Sequence, residues 1–209
     1  MLHLTTVQKR ILFNCFRQGI YFFLCLFFAL SLRGLAHTYK AATFKESGVI
    51  ENIQLLLLCF SSISFFIQGI FSKKFRPLLF FFSSLCVFAF FREMDSLFDT
   101  LIPFISWKFC YLFPILSLFY LYKKRNHIKK ALFLFFTSPA FYIMCSAMVI
   151  FIPLAQTIGN RGFISSVLPD AHDVILIRRF IEESAEILAY FLLFISSVEF
   201  YISLIKKSK

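Results

Sequence analysis

Six apolar segments divide this chain, and each is long enough, or nearly so, to cross a hydrocarbon layer of roughly 30 Å at about 20 residues per helix. They lie near residues 11–32, 50–71, 77–92, 103–122, 131–155 and 181–205. The third is short, and the fifth carries Pro139 and Pro153. Lipid offers no water to a bare amide, so each segment is expected to be a helix that satisfies its own backbone. The expected fold is all-α: a polytopic transmembrane helical bundle of about six spans, one integral membrane domain over residues 1–209, with an outer loop at 156–180. Composition agrees, since 59% of the 209 residues are hydrophobic and only six Gly and six Pro interrupt them. The 33 Phe carry no separate argument, because packing and genomic base composition would both produce them. Lys9 and Arg10 precede the first segment and no small-residue cleavage site follows, so it reads as a retained span rather than a signal peptide.

Charge sets the expected orientation. With a cytoplasmic amino terminus, the inner segments collect Lys9, Arg10, Lys73, Lys74, Arg76, the run KKRNHIKK at 123–130, and Lys206, Lys207 and Lys209. No carboxylate lies among them, and ten of the eleven acidic residues fall on the other side. Both termini are therefore expected to be cytoplasmic, and the net charge of +11 is a positive-inside signal that calls for no nucleic acid. The KKRNHIKK run serves orientation, with contact to anionic headgroups as a second reading. The expected partners are the lipid bilayer and, for so small a chain without a soluble domain, further copies of itself (a homo-oligomer) or a partner membrane protein. A bacterial inner membrane is the expected location. The terminal KKSK, which has the form of a dilysine retrieval signal, leaves the endoplasmic reticulum as the alternative.

The six cysteines all fall inside expected spans and form no CxxC pair, so neither a disulfide framework nor a metal site is indicated, and no cofactor is assigned. HExxH, GxSxG, Walker and GxGxxG patterns are absent, which removes the usual anchors for metalloprotease, serine-hydrolase and nucleotide-binding chemistry.

What remains is a set of polar residues in two layers. In FFREMDSLFD, helical spacing puts Arg92, Asp95 and Asp99 on one face at the outer end of the third span, with Glu93 pointing elsewhere. Glu51 and Gln54 occupy the outer end of the second span. Glu182 and Glu186, four apart, occupy that of the sixth, with Tyr190 one turn deeper on the same face. Carboxylates in a first helical turn, with Arg179 reaching Glu182 or Glu183, explain much of this as capping and pairing. Acids beside Arg92 at a helix carboxy end do not fit that account, because they oppose the dipole there. The competing reading is a pocket in which Arg92 is the cation of a carboxylate ring, since charges inside a span face the protein and pair. His172, in the loop before the last span, is a candidate to reach over this ring. A second layer nearer the cytoplasm holds Arg17, Gln18, Gln68 and Glu199, from which a structural pair between Arg17 and Glu199 is expected.

Three function classes fit. The leading one is a binding or sensing membrane protein whose outward cluster receives a lipid headgroup, ion or peptide. The alternatives are an outer-leaflet lipid-modifying enzyme and an oligomeric channel or transport subunit.

Overall fold

The computed structural model describes residues 5–39, 48–94, 107–158 and 174–208, together with 160, 162, 163 and 166, and among these every regular element is helical. The chain falls into two compact units, Met1–Thr43 and Phe44–Lys209.

The first unit is one helix, α1 (Thr6–Tyr39). A reciprocal cap starts it: the Gln8 amide donates to Thr5 Oγ1 at 3.3 Å and the Thr5 amide donates to Gln8 Oε1 at 2.9 Å, which satisfies two orphan donors of the first turn. From Ile11 to Leu35 it is apolar on all sides, with mean hydropathy 1.7, and Phe16 and Phe27 are 70% and 71% exposed. A helix that is apolar all round belongs in a hydrocarbon layer. Within it Ser31 and Thr38 return their hydroxyls to the carbonyls of Phe27 and Gly34, as polar side chains do where water is scarce.

The second unit is built on three long helices, α2 (Val49–Phe71), α3 (Arg76–Glu93) and α7 (Val174–Ser208). Helices α2 and α3 form a tight antiparallel hairpin. Its turn is closed by the Phe75 amide donating to the Ser72 carbonyl at 3.1 Å, and Pro77 sits in the first turn of α3, where a missing N–H costs nothing. Arg76 reaches back to close the end of α2, donating from Nε to the Gly69 carbonyl (3.1 Å) and from Nη2 to the Ile70 carbonyl (2.9 Å). Midway along, buried Ser62 and Ser83 face each other with hydroxyls 3.0 Å apart, and each also bonds the other's backbone carbonyl. Small polar residues let the two backbones approach and tie them together, as in other apolar bundles. Gly69 serves the same approach, since a Cβ there would meet the Phe80 ring at 2.6 Å.

After a short 3₁₀ turn (Trp107–Tyr111) come α4 (Leu112–Lys123) and α5 (Arg125–Phe136). Pro114 lies in the first turn of α4, so it opens that helix instead of kinking it. The expected fifth span is broken: α5 and α6 (Pro139–Val149) meet at 77°. Ser138 is extended, as the residue before a proline prefers, and Pro139 starts α6. Beyond α6 the chain widens into π-helical turns over Ile150–Ile158, which accommodate Pro153 within the helix.

Among the described residues three helices are long and apolar enough to span a membrane: Ile11–Leu35, Val49–Phe71 and Val174–Ile205. The bent pair α5–α6 makes a fourth if it counts as one crossing. The protein is thus an all-helical membrane protein with three to four candidate spans. Two more of the expected segments correspond to α3 and to the stretch that ends in α4, of which residues 107 onward are described. Helix α3 has 18 residues and carries Arg76, Arg92 and Glu93, and α4 has 12 residues.

Packing in this unit is not a ring. Helix α2 lies against both α3 and α7, α6 lies against α7, and α4 and α5 lie against α3. Neither α6 nor α7 comes into close backbone contact with α3 among the described residues. The lower part of that gap is filled by aromatic rings. Phe200 packs edge-on against Phe75 and Phe135, each at 5.3 Å between centroids, and Phe82 joins Phe135 at 5.1 Å and Phe65 at 5.5 Å. Part of the Phe excess is therefore a packed core. The Ser196 hydroxyl donates to the Ala140 carbonyl (2.8 Å), and the Gln68 side-chain amide donates to the Ser197 carbonyl (2.9 Å).

Candidate functional site

The upper part of the same gap, toward the carboxy end of α3, is bridged by side chains. Arg92 crosses from α3 to α7 and donates from Nη2 to Glu186 Oε1 at 2.8 Å. The same nitrogen is 3.3 Å from Glu93 Oε1. Tyr190, one turn beyond Glu186, sends its hydroxyl back to Glu93 Oε1 at 2.7 Å. The guanidinium also lies over the Phe151 ring, 5.2 Å from its centroid, so the face not used for hydrogen bonds meets an aromatic cloud. A third polar link joins α2 to α7, where Gln54 Nε2 donates to Glu183 Oε2 at 2.9 Å. Gln54 is fully buried, and its Oε1 accepts from no group among the described residues.

Charge is unevenly matched here. Glu93, Glu183 and Glu186 lie within electrostatic reach of one another, and Glu51 and Glu182 add to the field at Glu183. Arg92 serves Glu93 and Glu186, and Glu183 takes the Gln54 amide. The side chains of Glu186 and Glu93 are only 4% and 10% exposed, so their charges have little water to stabilise them. An arrangement of this kind favours whatever brings positive charge or hydrogen-bond donors to it.

Directly beneath the cluster lies a cavity of about 270 Å³. Helix α3 forms one wall with Leu85, Phe88 and Ala89, and α6 forms the other with Met144, Ala147 and Met148. Leu58 of α2 and Ala189 and Leu193 of α7 form its back, while Arg92 and Tyr190 are its polar end. It exists because α3 and α6 do not close on each other. Its volume is near the lower end of the range of small-molecule sites, about 300–1,000 Å³, and its lining has their character of apolar walls with few polar groups.

Of the residues singled out from sequence, Arg92, Glu186 and Tyr190 come together between α3 and α7, and Gln54 sits where α2 packs on α7 and bonds Glu183. Glu51 is half-buried at the start of α2, within reach of Glu183. Glu182 pairs along its own helix with Arg178 at 3.0 Å; since α7 starts at Val174, two turns earlier, and has no acid in its first turn, this is i,i+4 pairing and not the expected capping. Asp95, Asp99 and His172 lie outside the described residues. Glu93 is a correction: expected to point elsewhere, it faces Tyr190 and Arg92. The signal was present, because Leu79, Ser83 and Cys86 are buried and Glu93 continues their stripe at helical spacing. Glu183 was likewise passed over for Glu182, although 183, 186 and 190 follow the i, i+3, i+7 pattern more closely than 182, 186 and 190 do. Phe151 had no signal.

In the second polar layer, Gln68 and Glu199 are buried on α2 and α7. Gln18 is exposed on α1, where Arg17 takes the Asn14 side-chain oxygen at 3.4 Å. Among the described residues no three His, Cys, Asp or Glu side chains form a metal-ligand group.

The fold and site define a helical membrane protein with an apolar cavity under a partly buried arginine–carboxylate cluster. No family model, curated protein or solved structure matches the chain.

Proposed function

We propose that the protein binds an amphiphile from the bilayer, with the hydrocarbon part in the cavity between α3 and α6 and the polar part at Arg92, Glu93, Glu186 and Tyr190. The observation that carries this reading is the contiguity of the two halves: Arg92 and Tyr190 belong both to the polar cluster and to the lining of an otherwise apolar cavity. The gap opens toward the lipid-facing side, where Met148 and Ile152 are exposed, so a lipid reaches it without crossing water. Glu93 and Glu186 around Arg92, with Glu183 within electrostatic reach of both, favour a headgroup that carries an amine or several donors, and disfavour a phosphomonoester or free acid.

In the same reading the chain crosses the membrane six times in a bacterial inner membrane, with both termini cytoplasmic and the Arg92 cluster near the outer interface. Helix α3 and the segment ending in α4 are the short crossings, and the positive-inside distribution supports the orientation. The protein acts as a receptor or sensor, alone or as an oligomer.

The test is the lipid that copurifies with, or is retained by, the full chain in nanodiscs of phosphatidylethanolamine against phosphatidylglycerol, read by native mass spectrometry. The aminated lipid is expected to be retained, and Arg92→Ala, Glu186→Gln and the cavity-filling Ala147→Phe are each expected to reduce the same lipid. If Arg92→Ala and Glu186→Gln only lower stability, additively and with lipid retention unchanged, the cluster is structural. Turnover of the added lipid would instead assign an enzyme, and ion flux in liposomes a channel.

A further inference from the structure

The opposite end of the second unit holds a different kind of site. The turn between α2 and α3 supplies Lys73, Lys74 and Arg76, the end of α4 supplies Tyr120 and Lys124, and α5 supplies Lys130; with Pro77 these seven residues line a cavity of about 500 Å³. A second concavity of about 420 Å³ shares Lys74 and Lys130 and adds Lys129, Phe133 and Leu134. Six cations from segments some fifty residues apart in sequence therefore border two adjoining hollows, and no carboxylate lines either. An orientation signal requires only that basic residues be counted in short loops. It does not require them to border one hollow, where exposed cations together raise a positive potential that attracts an anion.

The geometry is also prepared. Arg76 is fixed by its bonds to the Gly69 and Ile70 carbonyls, and the Lys74 ammonium lies over the Phe75 ring at 5.8 Å. The hollows lie where α2, α3 and α4 end, the depth of the headgroups for a protein whose apolar helices cross the bilayer. Phe133, 68% exposed, continues the second hollow onto the hydrocarbon-facing surface. A free phosphate would use the ammonium groups and leave Phe133 and Leu134 without a role.

We propose that this basic hollow is a binding site for an anionic phospholipid of the leaflet on that side, with the phosphate held among Lys73, Lys74, Arg76, Lys124 and Lys130 and the start of an acyl chain along Phe133 and Leu134. The site lies at the other end of α3 from the Arg92 cluster and does not depend on the amphiphile reading of that cluster. What it adds is a lipid-dependent attachment on the basic face, where bilayer composition acts directly on the α2–α3 hairpin and on α5.

The experiment uses the full chain in phosphatidylcholine nanodiscs with and without phosphatidylglycerol, and counts retained anionic lipid by native mass spectrometry. Each basic side chain near an anionic surface contributes roughly fivefold in affinity, so Lys74→Gln with Lys130→Gln is expected to weaken retention by roughly twentyfold. Lys123→Gln with Arg125→Gln removes two neighbouring charges without touching the lining and is expected to weaken retention clearly less than the lining pair does. Equal losses in the two double variants would overturn the site and leave only bulk charge. Phe133→Ala is expected to weaken lipid retention, and inorganic phosphate is expected not to displace the lipid. Displacement by phosphate, with Phe133→Ala silent, would overturn the lipid in favour of a soluble anion. Lys74→Arg with Lys130→Arg keeps the charge and is expected to retain the lipid; its failure would also count against the proposal.

Discussion

Helix α3 begins with Arg76 and ends with Arg92, about 25 Å apart along its axis, and the two arginines live in opposite electrostatic settings. Arg76 stands among exposed lysines and satisfies itself on backbone carbonyls of the neighbouring helix. Arg92 stands among carboxylates that have lost most of their water, and it satisfies Glu186 and Glu93 as much as they satisfy it. Exposed like charges are tolerated because water and salt screen them. Buried ones must be paired across helices, and the pairing then decides where the helices sit.

That contrast can be broken most directly at Arg92. Arg92→Ala leaves two poorly hydrated carboxylates without their cation and is expected to cost about 3 kcal/mol, measured by reversible unfolding of the detergent-solubilised protein. Glu186→Gln keeps the shape and an acceptor, so its cost should be near 1 kcal/mol. If both variants cost the same, Arg92 is not the element that compensates the cluster.

A smaller effect is expected from Tyr190→Phe, which removes the hydroxyl donated to Glu93 at 2.7 Å but keeps the ring against Phe151. A single hydrogen bond between membrane helices is worth about 0.6–1.7 kcal/mol. A loss that vanishes in the Arg92→Ala background would show that Tyr190 acts through the same cluster.

The smallest belongs to the basic end. Arg76→Ala should cost about 0.5–1 kcal/mol, the scale of a cation at a helix carboxy terminus. It should do so independently of Arg92→Ala, since the sites share no partners. A coupled loss would join the two ends that the comparison separates.

Much of the fold was legible. The long apolar runs required helices, and three of them are long enough to span on their own. The break at Ser138 and Pro139 was visible as a proline in an apolar run, but its 77° angle was not, because a proline fixes only its own turn while neighbours set the direction of the next helix. Pro114 shows the reverse: it lies in the first turn of α4, where a proline is tolerated. In the candidate site, Arg92, Gln54, Glu186 and Tyr190 were marked by the cost of polar groups in apolar runs. Glu93 and Glu183 were missed because the choice between adjacent acids depends on which face of each helix is covered.

By itself the sequence determined that this chain is helical and apolar enough for a membrane, and which few polar residues it carries into that environment, since backbone amides and charges have few acceptable states in hydrocarbon. Tertiary structure alone decided that α3 and α6 stand apart, so that a cavity opens under Arg92, and that lysines of two distant loops meet around one hollow. Those outcomes depend on the relative placement of helices, which is fixed by contacts such as Ser62 with Ser83 and Phe135 with Phe200 between residues far apart in the chain.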